Sequence, residues 1–199
     1  MDNCPKPFSM RNTPATLESK DLMNSLRFQC LKSGDCCTHL VNEVGNFDVT
    51  NGLLLLAIEK DLFPKHLIKP QWGLGGPTAN EPGQIVTYQL TENVCPFYDR
   101  ERGCMTYDER PLICRAFPVL LLSWERRAIA WSGNCRWIKQ HFENRNVSGV
   151  EALSELSAVD TLASILRLET RTAGSPGNYW NYDLKTDKWK LLGSVPSPA

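Results

Sequence analysis

Three of the chain's eight cysteines, Cys30, Cys36 and Cys37, fall within eight positions in the stretch FQCLKSGDCC. A second block, CPFYDRERGCMTYDERPLICRAFP, adds Cys95, Cys104 and Cys114, and Cys135 follows in SGNCRW. Cys4 stands apart. The two blocks lie about sixty residues from each other, which suits a site closed by folding, with ligands drawn from distant segments. Thiolate is a soft ligand, so the expected occupants are zinc or an iron–sulfur cluster, not magnesium or calcium. One tetrahedral zinc or one cubane cluster takes four ligands. Seven cysteines exceed that, so either two metals bind or some cysteines are structural or redox-active.

Cys36 and Cys37 are adjacent, and neighbouring side chains on extended backbone point to opposite sides. Both reach one metal only if the backbone turns tightly there; otherwise one is a ligand and the other packs or serves a second centre. Two plainer readings exist. Buried cysteines often act as small hydrophobes, and cysteines can pair as disulfides. Seven thiols grouped around Gly and Pro favour metal over both. So does the start of the chain, MDNCPKPFSMRNTPATLESKDL, which has no apolar signal core and no cleavage-site pattern. The expectation is a cytoplasmic protein with reduced thiols.

Composition narrows the class further. With 199 residues, 42% hydrophobic and 22% charged, the chain can form one sizeable core without disulfides. Lys plus Arg and Asp plus Glu balance at 22 each, which argues against a nucleic-acid or membrane-surface partner. The longest apolar run, LLLLAI from Leu53 to Ile58, is far too short to span a bilayer.

The elements that must position the cysteines read as α+β: a small single domain with cysteine-rich loops closing a metal site, short strands and hairpins, and a C-terminal helix. Residues 1–24 read as a loosely ordered arm, 25–140 as the metal-binding domain, and 141–199 as a helix and hairpin packed on the same domain. A helix is expected from Asn51 to Phe63, capped by Thr50 or Asn51 and ended by Pro64. KPQWGLGGPTANEPGQ reads as a Gly/Pro-rich loop and IVTYQLT as a strand. Asp108 is a candidate cap for a short helix that carries Pro111 in its first turn and Cys114 within it, closed by Pro118. Leu120 to Trp131 reads as a hairpin turning at Glu125 to Arg127. SGVEALSELSAVDTLASILRLET repeats Leu153, Leu156, Val159, Leu162, Ile165 and Leu166 at helical spacing, with Ser148 as its cap. YWNYDLKTDKWKLLG reads as a closing hairpin.

Arginines crowd the second block. Arg110 and Arg115 flank Cys114 and are expected to offset thiolate charge, with Arg136 beside Cys135. Arg100 and Arg102 read as solvated surface charges paired with nearby carboxylates.

The two blocks resemble the YkgJ-type cysteine-cluster family, a CxxCxxCC zinc- or iron-chelating domain. The family's first block runs F-x-C-x-x-C-G-x-C-C; here it is Phe28, Cys30, Ser33, Gly34, Cys36 and Cys37. The second runs C-P-F-x…C-x-x-Y-x-x-R-P-x-x-C-R-x-F-P. It is matched by Cys95, Pro96, Phe97, Cys104, Tyr107, Arg110, Pro111, Cys114, Arg115, Phe117 and Pro118. The resemblance covers roughly residues 28–140. Ser33 departs from it, standing where the pattern usually has its second cysteine, and a hydroxyl is a poor substitute ligand. His39 is a candidate replacement, or else an ordinary histidine; His66 and His141 carry no local signal. The resemblance implies zinc or iron. Some larger relatives resemble flagellin lysine methylases, which implies by analogy that the module can support an enzyme.

Two functions follow. The first is a protein with an iron–sulfur cluster of the 4Fe–4S type, serving electron transfer or a cluster-dependent reaction with a protein or redox partner. The alternative is a zinc-stabilised binding module without catalysis, acting through Tyr179, Trp180, Tyr182 and Trp189. The candidate ligands are Cys30, Cys36, Cys37, Cys95, Cys104, Cys114 and Cys135. A thiol enzyme using Cys37 is disfavoured, because no Cys-x-x-Cys is present. GLGGP, with no strand expected before it and no helix after it, is not a phosphate loop.

Overall fold

The computed structural model describes residues 25–45, 48–76, 80–124, 126–142, 149–172 and 177–194. Cys4, the expected N-terminal arm and the proposed cap Ser148 lie outside the described residues. In chain order the strands are β1 (Ser25–Arg27), β2 (Asn42–Val44), β3 (Val49–Asn51), β4 (Leu53–Leu56), β5 (Ile68–Leu74), β6 (Gln84–Leu90), β7 (Tyr98–Asp99) and β8 (Gly103–Cys104). After helix α1 (Leu112–Ala116) come β9 (Val119–Ser123), β10 (Ala128–Trp131), α2 (Arg136–Phe142), β11 (Gly149–Glu151), α3 (Leu153–Thr172), β12 (Asn178–Asp183) and β13 (Lys188–Ser194). The architecture is mixed helix and sheet, as the sequence pattern implies.

The centre is a five-stranded sheet in the order β13-β12-β5-β6-β4, antiparallel at every pairing. Two expectations fail here. The run expected as a helix from Asn51 to Phe63 is mostly strand: Leu53–Leu56 pairs with Leu90–Thr87 of β6, and only Ala57–Leu62 turns, as a 3-10 helix. The reason is strand alternation. Leu55 joins a core with Leu40, Phe63 and Leu90, while its neighbour Leu56 joins the opposite core with α1 and α3 residues. Four successive leucines can serve two cores only on a strand buried on both faces, and periodicity alone does not separate that from a buried helix. The expected loop KPQWGL is β5, despite Pro70. Its register slips between Pro70 and Trp72, which absorbs the missing N–H. The fully buried Gln89 completes that irregular region: its Nε2 donates to Pro70 O at 2.7 Å and Tyr182 O at 3.0 Å, and its Oε1 accepts from Gly52 N at 2.7 Å. GLGGP therefore does follow a strand, but it leads on toward β6 and not into a helix, so it remains a hairpin connection.

The long helix and both expected hairpins form. α3 buries Ala158, Val159, Leu162 and Leu166 against Leu112, Ala116 and Val119. It begins at Leu153, later than expected, because Gly149–Glu151 pairs in parallel with Ser25–Arg27. Leu153, 77% exposed, is thus not a core residue. The β9–β10 hairpin turns with Arg127 at φ +50°, doing without the glycine usual there. In the β12–β13 hairpin Trp180 is 1% exposed and donates to Gly75 O at 2.8 Å. It is a core residue, unavailable to a partner.

The short helix is shifted relative to expectation. Asp108 lies in a separate 3-10 turn, Tyr107–Glu109, and Pro111 is the residue preceding α1. The helix is braced from elsewhere. Glu59 Oε1 accepts the Leu112 N–H at 2.6 Å and Oε2 accepts the Leu56 N–H at 3.2 Å. One carboxylate thus ties β4 to the first turn of α1, where orphan N–H groups favour negative charge. Removing it in Glu59→Ala leaves two N–H groups without acceptors and is expected to cost about 2 kcal/mol. For a chain of this size that is a fall of about 4–8 °C in Tm. Thermal unfolding checks it; an unchanged Tm shows that the carboxylate does not brace the helix.

Candidate metal centre

The first cysteine loop is a tight turn. Cys37 N donates to Gly34 O at 2.8 Å, and Gly34 sits at φ +79°. A Cβ on Gly34 would lie 2.2 Å from Tyr98 Oη and 2.3 Å from its ring carbons, so only glycine fits between this turn and β7. The turn overcomes the divergence of adjacent side chains: Cys36 Sγ and Cys37 Sγ are 3.8 Å apart.

Backbone then joins the two blocks. Cys95 N donates to Cys37 O at 2.8 Å, Leu40 N donates to Asn93 O at 3.0 Å, and Thr38 and Val94 form an antiparallel bridge. Past Cys95 the chain turns through Pro96, with Tyr98 N donating to Cys95 O at 3.0 Å. The two-residue strands β7 and β8 set Cys104 opposite Tyr98. Gly103, at φ +79°, and the Asp99 carboxylate, which accepts the Glu101 and Arg102 N–H groups at 2.9 and 2.8 Å, shape that hairpin. Cys114 comes from α1. Cys95 packs beside the core of Leu40, Leu55, Phe63 and Leu90, so this part of the site rests on the central sheet.

Among the described residues all seven cysteines are free thiols, and their electrostatics group five of them. Cys37 lies between Cys36 and Cys95 and hydrogen-bonds with both, so its own thiol is held strongly protonated. Cys36 and Cys95 each fall to about 7, chiefly through their hydrogen bond with Cys37. Burial pushes the Cys114 thiol well up, helped by the negative charge of Cys36, Cys95 and Cys104. No three His, Cys, Asp or Glu side chains among the described residues are disposed to hold a metal ion as they stand. The sulfurs adjoin as a chain, not as a closed cage. The donor chemistry nonetheless suits a soft metal, because all five groups are sulfur: Cys36, Cys37 and Cys95 adjoin in a row, and Cys114 interacts with Cys36, Cys95 and Cys104.

Arg110 is the cation of the site. It stacks 3.8 Å from the Tyr107 ring centroid, donates to Tyr107 O at 2.8 Å, and lowers the pKa of both Cys36 and Cys114 by its charge. Arg115 corrects an expectation, since its side chain is exposed. Arg102 pairs with Asp99 at the surface, as expected. Arg136 pairs with Asp35.

Cys30 and Cys135 stand aside from the five. Cys135 is buried with Trp137 and Ile138 in a small separate core, at the head of α2. Asp35, which sequence reasoning passed over, connects that helix to the cysteine turn. Its Oδ2 accepts from Ser33 Oγ at 2.6 Å and from Arg136 N at 3.0 Å. Its position between Gly34 and Cys36 was the available signal. Ser33 is therefore engaged with Asp35. The His39 side chain is exposed, at φ +58°, and His66 is exposed too. His141 stacks on Trp137 at 4.0 Å.

The thiol ordering gives a direct test. Cys36 and Cys95, ionised above about pH 7, should alkylate first when metal-stripped protein is treated with iodoacetamide at pH 7.5. Their labelling should fade as pH falls below 7, while Cys114 should label only on unfolding. Peptide mapping reads the order, and prior labelling of Cys114 contradicts the arrangement.

Comparison with the curated proteins and with the solved structures gives no match. The model of one family does match, over residues 29–146: the family described as CxxCxxCC, putative zinc- or iron-chelating domain. The four positions of that name are held here by Cys30, Ser33, Cys36 and Cys37. The matched segment takes in both cysteine blocks, Cys135 and the arginine beside the cluster. It spans more than half of the chain, which thus belongs to the CxxCxxCC family of zinc- or iron-chelating domains.

Proposed function

We propose that Cys36, Cys37, Cys95, Cys104 and Cys114 supply the ligands of an iron–sulfur cluster, and that the protein serves electron transfer or a cluster-dependent reaction with a redox partner. The observation that carries this reading is the direct backbone pairing of Cys37 with Cys95. It brings thiols from two distant segments into one neighbourhood, beside the thiols of β8 and α1. When bound, such a cluster supplies one-electron chemistry.

The chain's own residues do the rest. The turn at Gly34 aims two sulfurs the same way. Arg110 offsets thiolate charge, and its Nη1 reaches Cys114 O at 3.4 Å, a weak contact that still keeps the guanidinium over the cluster side of α1. The sheet beneath Cys95 keeps that side of the site dry. Zinc in place of a cluster would make the same residues a cross-link that stabilises the fold. Trp180 is then lost to partner binding, and Tyr182 is already engaged with Trp189 and Asp187.

Metal and acid-labile sulfide analysis of protein purified without oxygen, together with a visible spectrum, separates the two. Iron with sulfide and a brown colour is expected. Zinc without colour makes the centre structural. Cys104→Ser and Cys114→Ser should each strip the iron and lower thermal stability, since metal-binding energy is also folding energy. Cys4→Ser should be silent. Full iron content in both site variants would refute the ligand set.

A further inference from the structure

Helix α3 runs for 20 residues, about 30 Å of helix. One side of it packs on Leu112, Ala116 and Val119. The positions turned to solvent are Leu153, Ser154, Ser157, Thr161, Ser164, Leu168 and Arg171. They recur three or four residues apart and so form one face. The outer face of a surface helix is ordinarily charged. This one carries no charge before Arg171, and two of the most exposed apolar side chains among the described residues stand toward its ends, Leu153 at 77% and Leu168 at 62%. The hydroxyls between them are turned onto their own helix. Thr161 Oγ1 donates to Ser157 O at 2.9 Å, and Ser164 Oγ donates to Asp160 O at 2.7 Å. Covering this stretch therefore leaves neither of those donors unmet. An open groove runs along the same face, lined by Leu153, Leu156, Ser157, Asp160, Thr161 and Ser164.

We infer that this face is the contact between two copies of the chain, packed α3 against α3 in antiparallel about a two-fold axis. The order of its side chains is self-complementary, as such an axis requires. About the point between Asp160 and Thr161, Leu153 and Leu168 lie equally far along the helix, and so do Ser157 and Ser164. A second copy therefore sets its Leu168 against Leu153 at one end and its Leu153 against Leu168 at the other. Ser157 meets Ser164 of the second copy, and small side chains fall where the two backbones come closest, which suits the short axial separation of packed helices. Charge is complementary too. Arg127 donates to both carboxylate oxygens of Asp160 through Nε and Nη2, and each of these side chains stays 48% exposed. The axis passes beside Asp160, so it brings two Arg127–Asp160 pairs together, acid and base alternating, and each carboxylate gains a second guanidinium. The centre of the face is thus neutral and completed by its own duplicate. A partner charged with one sign gains nothing there.

The test is sedimentation equilibrium of the full chain under reductant, at concentrations up to about 100 μM, which reaches contacts of micromolar affinity. The wild type should reach twice the monomer mass. Thr161→Glu sets a carboxylate against Asp160 of the second copy and should return the monomer mass. Circular dichroism and Tm show that this variant folds; Leu168→Ser, at the end of the face, stands in if it does not. Ile58→Ser removes an apolar side chain that is 74% exposed on another part of the surface and should leave the dimer intact. Thr161→Cys, treated with a thiol cross-linker of short span, should join residue 161 of one copy to residue 161 of the other, as peptide mapping reads. A wild type that stays monomeric throughout hands the face to another occupant and overturns the inference. So does a dimer that folded Thr161→Glu leaves unchanged, or one in which residue 161 does not join its counterpart.

Discussion

The hydrogen bond from the Cys95 N–H to the Cys37 carbonyl is the constraint on which the site depends. Two loops that carry thiols cannot hold a common geometry unless something fixes their relative position. Here the fixing is done by backbone: the Thr38–Val94 bridge and the Leu40–Asn93 bond lie beside the Cys37–Cys95 pair, making a short antiparallel stitch. Backbone pairing of this kind does not depend on thiol protonation. The segments are therefore held together by main-chain bonds as well as by any metal they share. That lowers the entropic cost of binding relative to closing a long loop from the unfolded chain.

Around that stitch, each cysteine is placed by a different local device. A left-handed glycine beneath the Tyr98 ring turns Cys36 and Cys37 together. A two-residue hairpin presents Cys104. A five-residue helix, too short to be stable alone, carries Cys114 and is held by Glu59 from the 3-10 turn that follows β4. Asp35 caps α2 from within the cysteine turn and so couples Cys135 to Cys36. The charged residues nearest the thiols are thus largely structural braces, with Arg110 the cation placed to act on the sulfurs themselves. Among the described residues no helix is long and apolar enough to cross a membrane. α3 in particular spends its apolar face on the core of Leu112, Ala116 and Val119.

The misread elements share one cause. From Asn51 to Phe63, and again along KPQWGL, local signals favoured helix or loop, and sheet pairing overrode them. A leucine run buried on both faces has no alternation to read, and the Gly/Pro content of KPQWGL masks a strand whose register slips beside Pro70, where the Gln89 side chain takes up the Pro70 carbonyl. Where a segment contributes one clear amphipathic face, as in α3, or closes on itself, as in the β9–β10 and β12–β13 hairpins, the local pattern was enough.

The sequence by itself determined the soft-donor character of the site, the membership of Cys95, Cys104 and Cys114 in one block, and the arginine beside Cys114. These are matters of residue type and short spacing, which survive any fold. Only the tertiary structure decided which thiols are neighbours. Spacing cannot say that Cys37 sits between Cys36 and Cys95, or that Cys135 packs in a separate small core with Trp137 and Ile138. Those relations come from long-range pairing: β6 against β4 and β5, and Cys95 against Cys37. They bring together residues whose separation along the chain carries no information about their separation in space.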